Sequence, residues 1–405
     1  MSDSPVASPF AGKVEGERRY DSTIVNRPSN PGVGAQLLLR MKIGIFSECY
    51  HPIANGVVAS IDALCDGLRI AGHDAFVVAP SGRSAVCVPS LPLPTRTAYR
   101  LVLPLLDRRA RAHVRSFDVI HTHSPFVTGW MGVRLARRHG IPLVFTYHTQ
   151  LEEYAHYVPF ERTATRRAAT TLTRTYANLA DRVIVPTSAM EARLRGLGVT
   201  APIAVIPTGI DVERFAAGRR SDTLRARFGA SKLVLLVSRL AREKNIDLAI
   251  QALGGLEDPG VHLALAGDGP ERAGLAELAR AAGVEERVHF LGHIPRMELP
   301  DLYASCDAFV FPSFTETQGL VLAEALVCGL PVVAVDTPQS RDALEGHGLL
   351  VSPHSDAVAW GIGEALRIEP NQSAAHLALK RFSLGLQADR TIEIYQGLLA
   401  ERRTA

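Results

Sequence analysis

The chain has 405 residues, 47% of them apolar, and a formal charge of +3. That length accommodates two ordinary domains, and the composition is that of a soluble globular protein. The five cysteines (Cys49, Cys65, Cys87, Cys306, Cys328) are odd in number, scattered and without a C-x-x-C pair. They point to free thiols in a reducing cytoplasm and away from a zinc site or a disulfide frame.

Residues 1–40 are rich in Ser, Pro, Gly and Arg, show no periodicity and lack the parts of a signal peptide. They read as a disordered extension, and Met41 opens the first strand pattern. No apolar run reaches the ~18 residues needed to cross a bilayer. Strand-like runs then alternate with helical ones. Strands are expected at Lys42–Phe46, Ala75–Ala79, Val119–His121, Leu143–Tyr147, Val183–Val185 and Ile203–Ile206, with helices near Val57–Ala71, Phe126–His139, Arg162–Ala180 and Ala189–Leu197. The second half repeats the alternation at Leu233–Val237, His262–Ala266, Val288–Leu291, Ala308–Phe311 and Val332–Val335. Short, continuously apolar strands between helices mark parallel sheets covered on both faces. The break at Pro207-Thr-Gly-Ile-Asp211 divides the chain into two doubly wound domains, 41–207 and 208–388. A last helical stretch, Asp389–Arg402, is a candidate to cross back over the first domain. Thr208-Gly209-Ile210 is the expected hinge, where a glycine can absorb a backbone rotation as the domains close on a ligand.

The charge is unevenly spread. Residues 41–210 carry 19 basic against 11 acidic residues, and residues 211–405 carry 20 against 26. Arginines stand beside apolar residues at Leu101–Arg111 and along the helix from Arg162. Such basic amphipathic segments suit an anionic membrane surface, although a core-packed helix with a solvated basic face fits them equally. No RNA-binding signature accompanies them, so nucleic acid is not an expected partner.

The chemistry concentrates at strand carboxyl ends, where ligands bind in such sheets. Glu316 lies on the loop after Ala308–Phe311, and Glu324 lies about a turn and a half into the following helix. The backbone N–H groups of Gln318, Gly319 and Leu320 start that helix and would attract an anion, phosphate above all. Two carboxylates beside a phosphate cradle suit a sugar nucleotide. Arg239 and Lys244 follow the first strand of the second half, placed to neutralise a diphosphate; there is no D-x-D pair to hold a metal. Gly56 opens the first helix and permits close approach of backbone to a phosphate. His121 and His123 end one strand and His148 the next; His148 is followed by Glu152, Tyr154, His156 and Tyr157, a fitting lining for a sugar or hydroxyl acceptor. The dinucleotide fingerprint is absent after the first strand, which disfavours an oxidoreductase.

Together, Glu316/Glu324 with Gly319-Leu-Val, Arg239/Lys244, the loop at Gly56 and Thr146-Tyr-His148 resemble the retaining GT-B glycosyltransferases of family 4, over about Met41 to Arg402. The resemblance implies two Rossmann-like domains facing a cleft, with acceptor contacts in the first and donor contacts in the second. It gives Glu324 the ribose hydroxyls, Glu316 the donor sugar's hydroxyls, Gly319 and Leu320 backbone donors, and Arg239 and Lys244 the departing diphosphate. Base contacts are expected near Gly292-His293-Ile-Pro295. The fragment from Tyr147 to Pro159 resembles the variant in bacterial enzymes that glycosylate diacylglycerol, which makes Tyr154, His156 and Tyr157 acceptor residues. Asp336-Thr-Pro-Gln-Ser-Arg341-Asp342 departs from the glycine-rich loop of many relatives. The implied activity is a metal-independent transfer of a hexose, with UDP-glucose the favoured donor, to a lipid hydroxyl at the inner membrane face, giving an α-glycoside. A soluble acceptor with GDP-mannose as donor, a sugar-nucleotide epimerase and a non-catalytic binding scaffold remain as alternatives.

Overall fold

The computed structural model describes residues 40–53, 55–81, 86–92, 99–106, 108–152, 162–370 and 372–404. Among these, the strands of the first half are β1 (Lys42–Phe46), β2 (Asp74–Ala79), β3 (Val86–Cys87), β4 (Ser90–Pro92), β5 (Arg100–Val102), β6 (Val119–Thr122), β7 (Leu143–Thr146), β8 (Arg182–Val185) and β9 (Ile203–Val205). Seven of them form a parallel sheet in the order β3-β2-β1-β6-β7-β8-β9, and β4 pairs with β5 antiparallel. The second half holds β10 (Lys232–Val237), β11 (Val261–Ala266), β12 (Val288–Gly292), β13 (Ala308–Phe311), β14 (Val332–Val335) and β15 (Leu349–Val351), a parallel sheet in the order β12-β11-β10-β13-β14-β15.

The apolar runs form these strands because both faces are covered. In β10, Leu233 and Leu235 enter one core and Val234 and Leu236 the other, as the two-residue period of a strand requires. In each sheet the order in which successive strands are added reverses once, between β1 and β6 and between β10 and β13. A crevice opens at the carboxyl ends of the strands at each such reversal.

Several boundaries differ from the sequence reading. β6 runs on through Thr122, so His121 lies within the strand and is fully buried instead of ending it at the cleft. β7 stops at Thr146, which leaves Tyr147 and His148 on the loop. The helix from Arg162 ends at Ala177, where the side-chain oxygen of Asn178 accepts the N–H groups of Thr200 (2.8 Å) and Ala201 (3.1 Å) and turns the chain.

The chain crosses between the sheets at 206–211 and again at 381–387. Gly209 owes its place to the meeting of these crossings: a Cβ there would stand 2.9 Å from the Ser383 carbonyl oxygen and 3.0 Å from the Leu384 Cα. Its φ is not in the left-handed region, so close approach, not the backbone freedom expected of a hinge, selects glycine. Beyond the second crossing, the helix Leu384–Thr404 returns to the first sheet. Its stripe Ala388, Ile392, Tyr395 and Leu398 joins the core containing Ile43, Ile45 and Ile61. Gly67 in the helix Gly56–Ile70 permits this packing, because a Cβ there would lie 2.8 Å from the Ala388 Cβ.

Candidate active site

Lys244 and Glu316 meet at the reversal point of the second sheet. The loop after β10 ends in a short 3-10 turn, Arg242–Lys244, and the loop after β13 runs from Pro312 to Gly319. The Lys244 Nζ forms an ion pair with the Glu316 carboxylate, tying the two loops together. Arg239 donates to the buried Glu243 carboxylate at 2.5 Å, while its own side chain is 53% exposed. The guanidinium is thus oriented from behind and presented to solvent. Glu243 was hidden within a charged loop run; its spacing of four from Arg239 is the signal that could have identified it.

Glu324, expected beside Glu316, has a separate setting. It is 2% exposed within the helix Leu320–Val327. Its Oε2 accepts from the Tyr303 hydroxyl at 2.9 Å, and its Oε1 lies 3.3 Å from Arg296. Burial pushes its carboxyl above the usual range, opposed by Arg296 and by the Tyr303 hydrogen bond. Each glutamate therefore has its own cation, Lys244 for Glu316 and Arg296 for Glu324. Neither Arg296 nor Tyr303 stood out in the sequence.

Gly319 caps the helix with φ 74°, and a Cβ there would press on the Phe311 ring at 3.0 Å. Both facts call for glycine and leave the start of the helix as bare backbone beside Leu320. The Gln318 side chain is engaged elsewhere. Its Oε1 accepts the Thr208 N–H at 2.8 Å and its Nε2 donates to the Thr208 carbonyl at 3.1 Å. Gln318 thus clasps the crossing segment and can offer a ligand only its backbone. His293 is exposed just after Gly292, which closes β12 with φ 69°.

In the first domain, Gly56 is exposed at the start of its helix with open space where a Cβ would lie, and Asn55 caps that helix by accepting from Val58 at 2.9 Å. His148 stacks on His123, with Nε2 and Nδ1 2.7 Å apart. His121 lies behind them, 2.6 Å from both the Tyr395 hydroxyl and the Thr146 hydroxyl. Burial pushes His121 down to about 3 and His148 to about 4, with His123 also well below its ordinary value. The cluster is neutral near pH 7, so His148 can share a proton in a hydrogen bond but supplies no fixed charge. Tyr154, His156 and Tyr157 lie outside the described residues.

The two reversal points face each other. Gln150 donates to the Glu316 carbonyl at 2.8 Å, the Thr187 hydroxyl donates to the Thr317 carbonyl at 3.0 Å, and the Thr317 hydroxyl donates to the His148 carbonyl at 3.1 Å. Asp342, in the segment that departs from the glycine-rich loop, reaches across to accept the Ser188 N–H at 2.6 Å.

Comparison with known proteins agrees with this architecture. Residues 223–378 match the family model "Glycosyl transferases group 1", and residues 54–214 match "Glycosyltransferase Family 4". The chain is 31% identical over 370 residues to the alpha-monoglucosyldiacylglycerol synthase of Streptococcus pneumoniae, covering 86% of this chain and 83% of that protein. It is 34% identical over 370 residues to a GDP-mannose-dependent alpha-mannosyltransferase of Mycobacterium tuberculosis, covering 87% of this chain and 92% of that protein. Among solved structures, Anabaena Alr3699/HepE in complex with UDP-glucose superposes with a TM-score of 0.71 at 22% identity, covering 88% of this chain and all of that one. The chain belongs to the family 4 glycosyltransferases, enzymes here built on the GT-B fold.

Proposed function

We propose that the protein is a retaining, metal-independent hexosyltransferase that moves a hexose from a nucleotide diphosphate sugar, UDP-glucose by preference, to a hydroxyl of a membrane lipid such as diacylglycerol. In this reaction the bond from the anomeric carbon to the diphosphate oxygen breaks. The acceptor oxygen bonds to that carbon on the same face, and the acceptor's proton passes to the departing diphosphate. The observation that carries the reading is the Lys244–Glu316 pair at the reversal point of the second sheet, beside the bare helix start at Gly319. Lys244 and Arg239 stabilise the negative charge that develops on the departing diphosphate, where preorganised donors act most strongly. Glu316 holds donor-sugar hydroxyls, Glu324 with Arg296 faces the ribose, and the loop at His293 meets the base. Gly56 offers its backbone to the donor phosphate from the first domain, and His148 and the segment holding Tyr154, His156 and Tyr157 line the acceptor side.

The lipid acceptor draws support from the diacylglycerol-glucosylating relatives and from a surface feature. Leu91, Tyr99, Leu101 and Leu105 are all exposed around the β4–β5 pair, and Arg100 and Arg111 lie in the same stretch. No helix of the described residues is long and apolar enough to cross a membrane; the mode of contact in this reading is peripheral docking by the exposed leucines and Arg111. A second reading, transfer of mannose from GDP-mannose, is favoured by the identity to the M. tuberculosis mannosyltransferase.

The test is incubation with UDP-glucose or GDP-mannose in EDTA, with diacylglycerol vesicles or soluble polyols as acceptors, followed by lipid extraction and proton NMR of the anomeric centre. An α-glucosyl lipid formed at undiminished rate in EDTA is expected. Consumption of GDP-mannose alone would support the second reading, and loss of activity in EDTA would remove the metal-independent one.

A further inference from the structure

Apart from the Lys244–Glu316 ion pair, the loop that carries Glu316 makes its short side-chain hydrogen bonds with the other domain. Within its own domain, the remaining side-chain hydrogen bonds of segment 312–317 are long. Asn245 Nδ2 stands 3.4 Å from the Pro312 carbonyl, and the Ser313 hydroxyl 3.5 Å from Glu316 Oε1. The Thr315 hydroxyl reaches the Glu243 carbonyl only at 3.5 Å. These lie at the outer limit of a hydrogen bond. The bonds from the first domain are 2.8 Å (Gln150 to the Glu316 carbonyl) and 3.0 Å (Thr187 to the Thr317 carbonyl). Both donors are deeply buried, Gln150 at 3% and Thr187 at 2% exposure. They grip two consecutive carbonyls, so they limit rotation of the peptide that sets the direction of the Glu316 side chain.

The grip is itself braced. Asp342 of the second domain accepts from the Ser188 N–H at 2.6 Å, from the Ser188 hydroxyl at 2.9 Å and from the Ala189 N–H at 3.3 Å. It thereby anchors the start of the helix Ser188–Gly196, whose cap is Thr187. A carboxylate at a helix start is favoured by the exposed N–H groups and the helix dipole.

We propose that Gln150 and Thr187 are positioning residues of the transfer reaction, fixing the backbone of the Glu316 loop beside Lys244 when the two domains are together. This rests on the reading of Glu316 as the donor-sugar residue. It adds that the acceptor domain completes the donor site. A donor bound to an open enzyme would then meet a Glu316 loop lacking its backbone bonds from Gln150 and Thr187.

The experiment compares wild type with Gln150→Ala, Thr187→Val and Thr187→Ser. Amide hydrogen exchange of residues 312–320, affinity for UDP and GDP, and kcat and KM for the sugar nucleotide are the readouts. Thr187→Val also removes the helix cap; Gln150→Ala leaves it intact, and Thr187→Ser restores both roles. Expected are faster exchange confined to 312–320 in Gln150→Ala, and at 312–320 and the start of the helix Ser188–Gly196 in Thr187→Val, with nucleotide affinity held within about twofold. Their kcat should fall by roughly ten- to a hundredfold, the scale for a misplaced reacting group, with recovery in Thr187→Ser. Unchanged exchange at 312–320, or faster exchange throughout the chain, overturns the inference. If wild type transfers no hexose at all, the functional reading fails by itself, and the exchange pattern still decides whether Gln150 and Thr187 hold the loop.

Discussion

Replacing Lys244 by alanine removes a single ammonium that serves two partners. In the resting protein it pairs with Glu316, and both side chains are largely shielded from solvent, at 16% and 24% exposure. In the reaction it would face a diphosphate whose charge grows as the sugar departs. A unit charge about 4 Å away, at the effective dielectric of about 20 found near protein surfaces, is worth about 4 kcal/mol. Loss of one preorganised donor at an oxyanion costs ~10²–10³ in kcat, or about 2.7–4 kcal/mol, so the two estimates agree. Lys244→Ala should therefore lower kcat by that factor. Steady-state release of nucleotide diphosphate measures it, alongside a binding titration with UDP or GDP. Glu316→Gln should also lower activity, and the double variant should lose less than the sum of the singles, with a coupling of about 0.5–3 kcal/mol expected of groups in direct contact. Full turnover in Lys244→Ala, or a change confined to KM, would refute the assignment. Strict additivity would show that the pair is incidental.

Three further outcomes follow from the geometry. Tyr303→Phe withdraws a donor from the buried Glu324, which should cost about 1–3 kcal/mol of stability; an unchanged calorimetric midpoint would contradict it. The histidine cluster should make the fold acid-sensitive. Their folded values, about 3 for His121 and about 4 for His148, lie below the ordinary 6.5, so their contribution is complete above that value and is lost as the pH falls toward the folded values. Each should contribute a slope of about 1.4 kcal/mol per pH unit inside that window, and an unfolding midpoint that holds steady from about pH 7 to about pH 4.5 would speak against it. Finally, replacing Arg108, Arg109 and Arg111 by glutamate should reduce sedimentation with anionic vesicles and leave UDP affinity intact. Added salt should weaken the wild-type interaction, since exposed charges are screened beyond about 8 Å at physiological ionic strength, and wild type that stays in the supernatant at low salt rules out the docking surface.

Much of the architecture was legible because parallel strands covered on both faces write themselves as unbroken apolar runs. Ala308–Phe311 and Val332–Val335 are such runs, and the structure keeps both spans. The strands β3, β4, β5 and β15 escaped notice because each has only two or three residues, too few for a period to show. His121 was misplaced for a related reason. Its strand extends one residue further than the apolar run suggests, because Thr122, polar by letter, is fully buried and donates at 3.3 Å to the Val144 carbonyl. A hydroxyl that finds a neighbouring strand's backbone behaves as a core residue, and the letter alone does not reveal the partner.

The site divides along the same line between what is local and what is assembled. Glu316, Lys244, Gly319 and Gly56 stand out because each lies just beyond an apolar strand, so the elements that deliver them are visible beside them. Which cation serves which carboxylate is not local. Arg296 and Glu324 come from different βα units, and Lys244 and Glu316 from loops on opposite sides of the reversal point; only the strand order β12-β11-β10-β13 brings each pair together. Gln150 lies farther still from view, since its partner is a backbone carbonyl 166 positions away in the other domain. A backbone acceptor has no letter of its own, and a buried glutamine on a loop reads as an ordinary polar residue. What marks it is energetic. A deeply buried amide must find partners or lose roughly 1–3 kcal/mol, and in a two-domain chain the place to seek those partners is the cleft that burial itself creates.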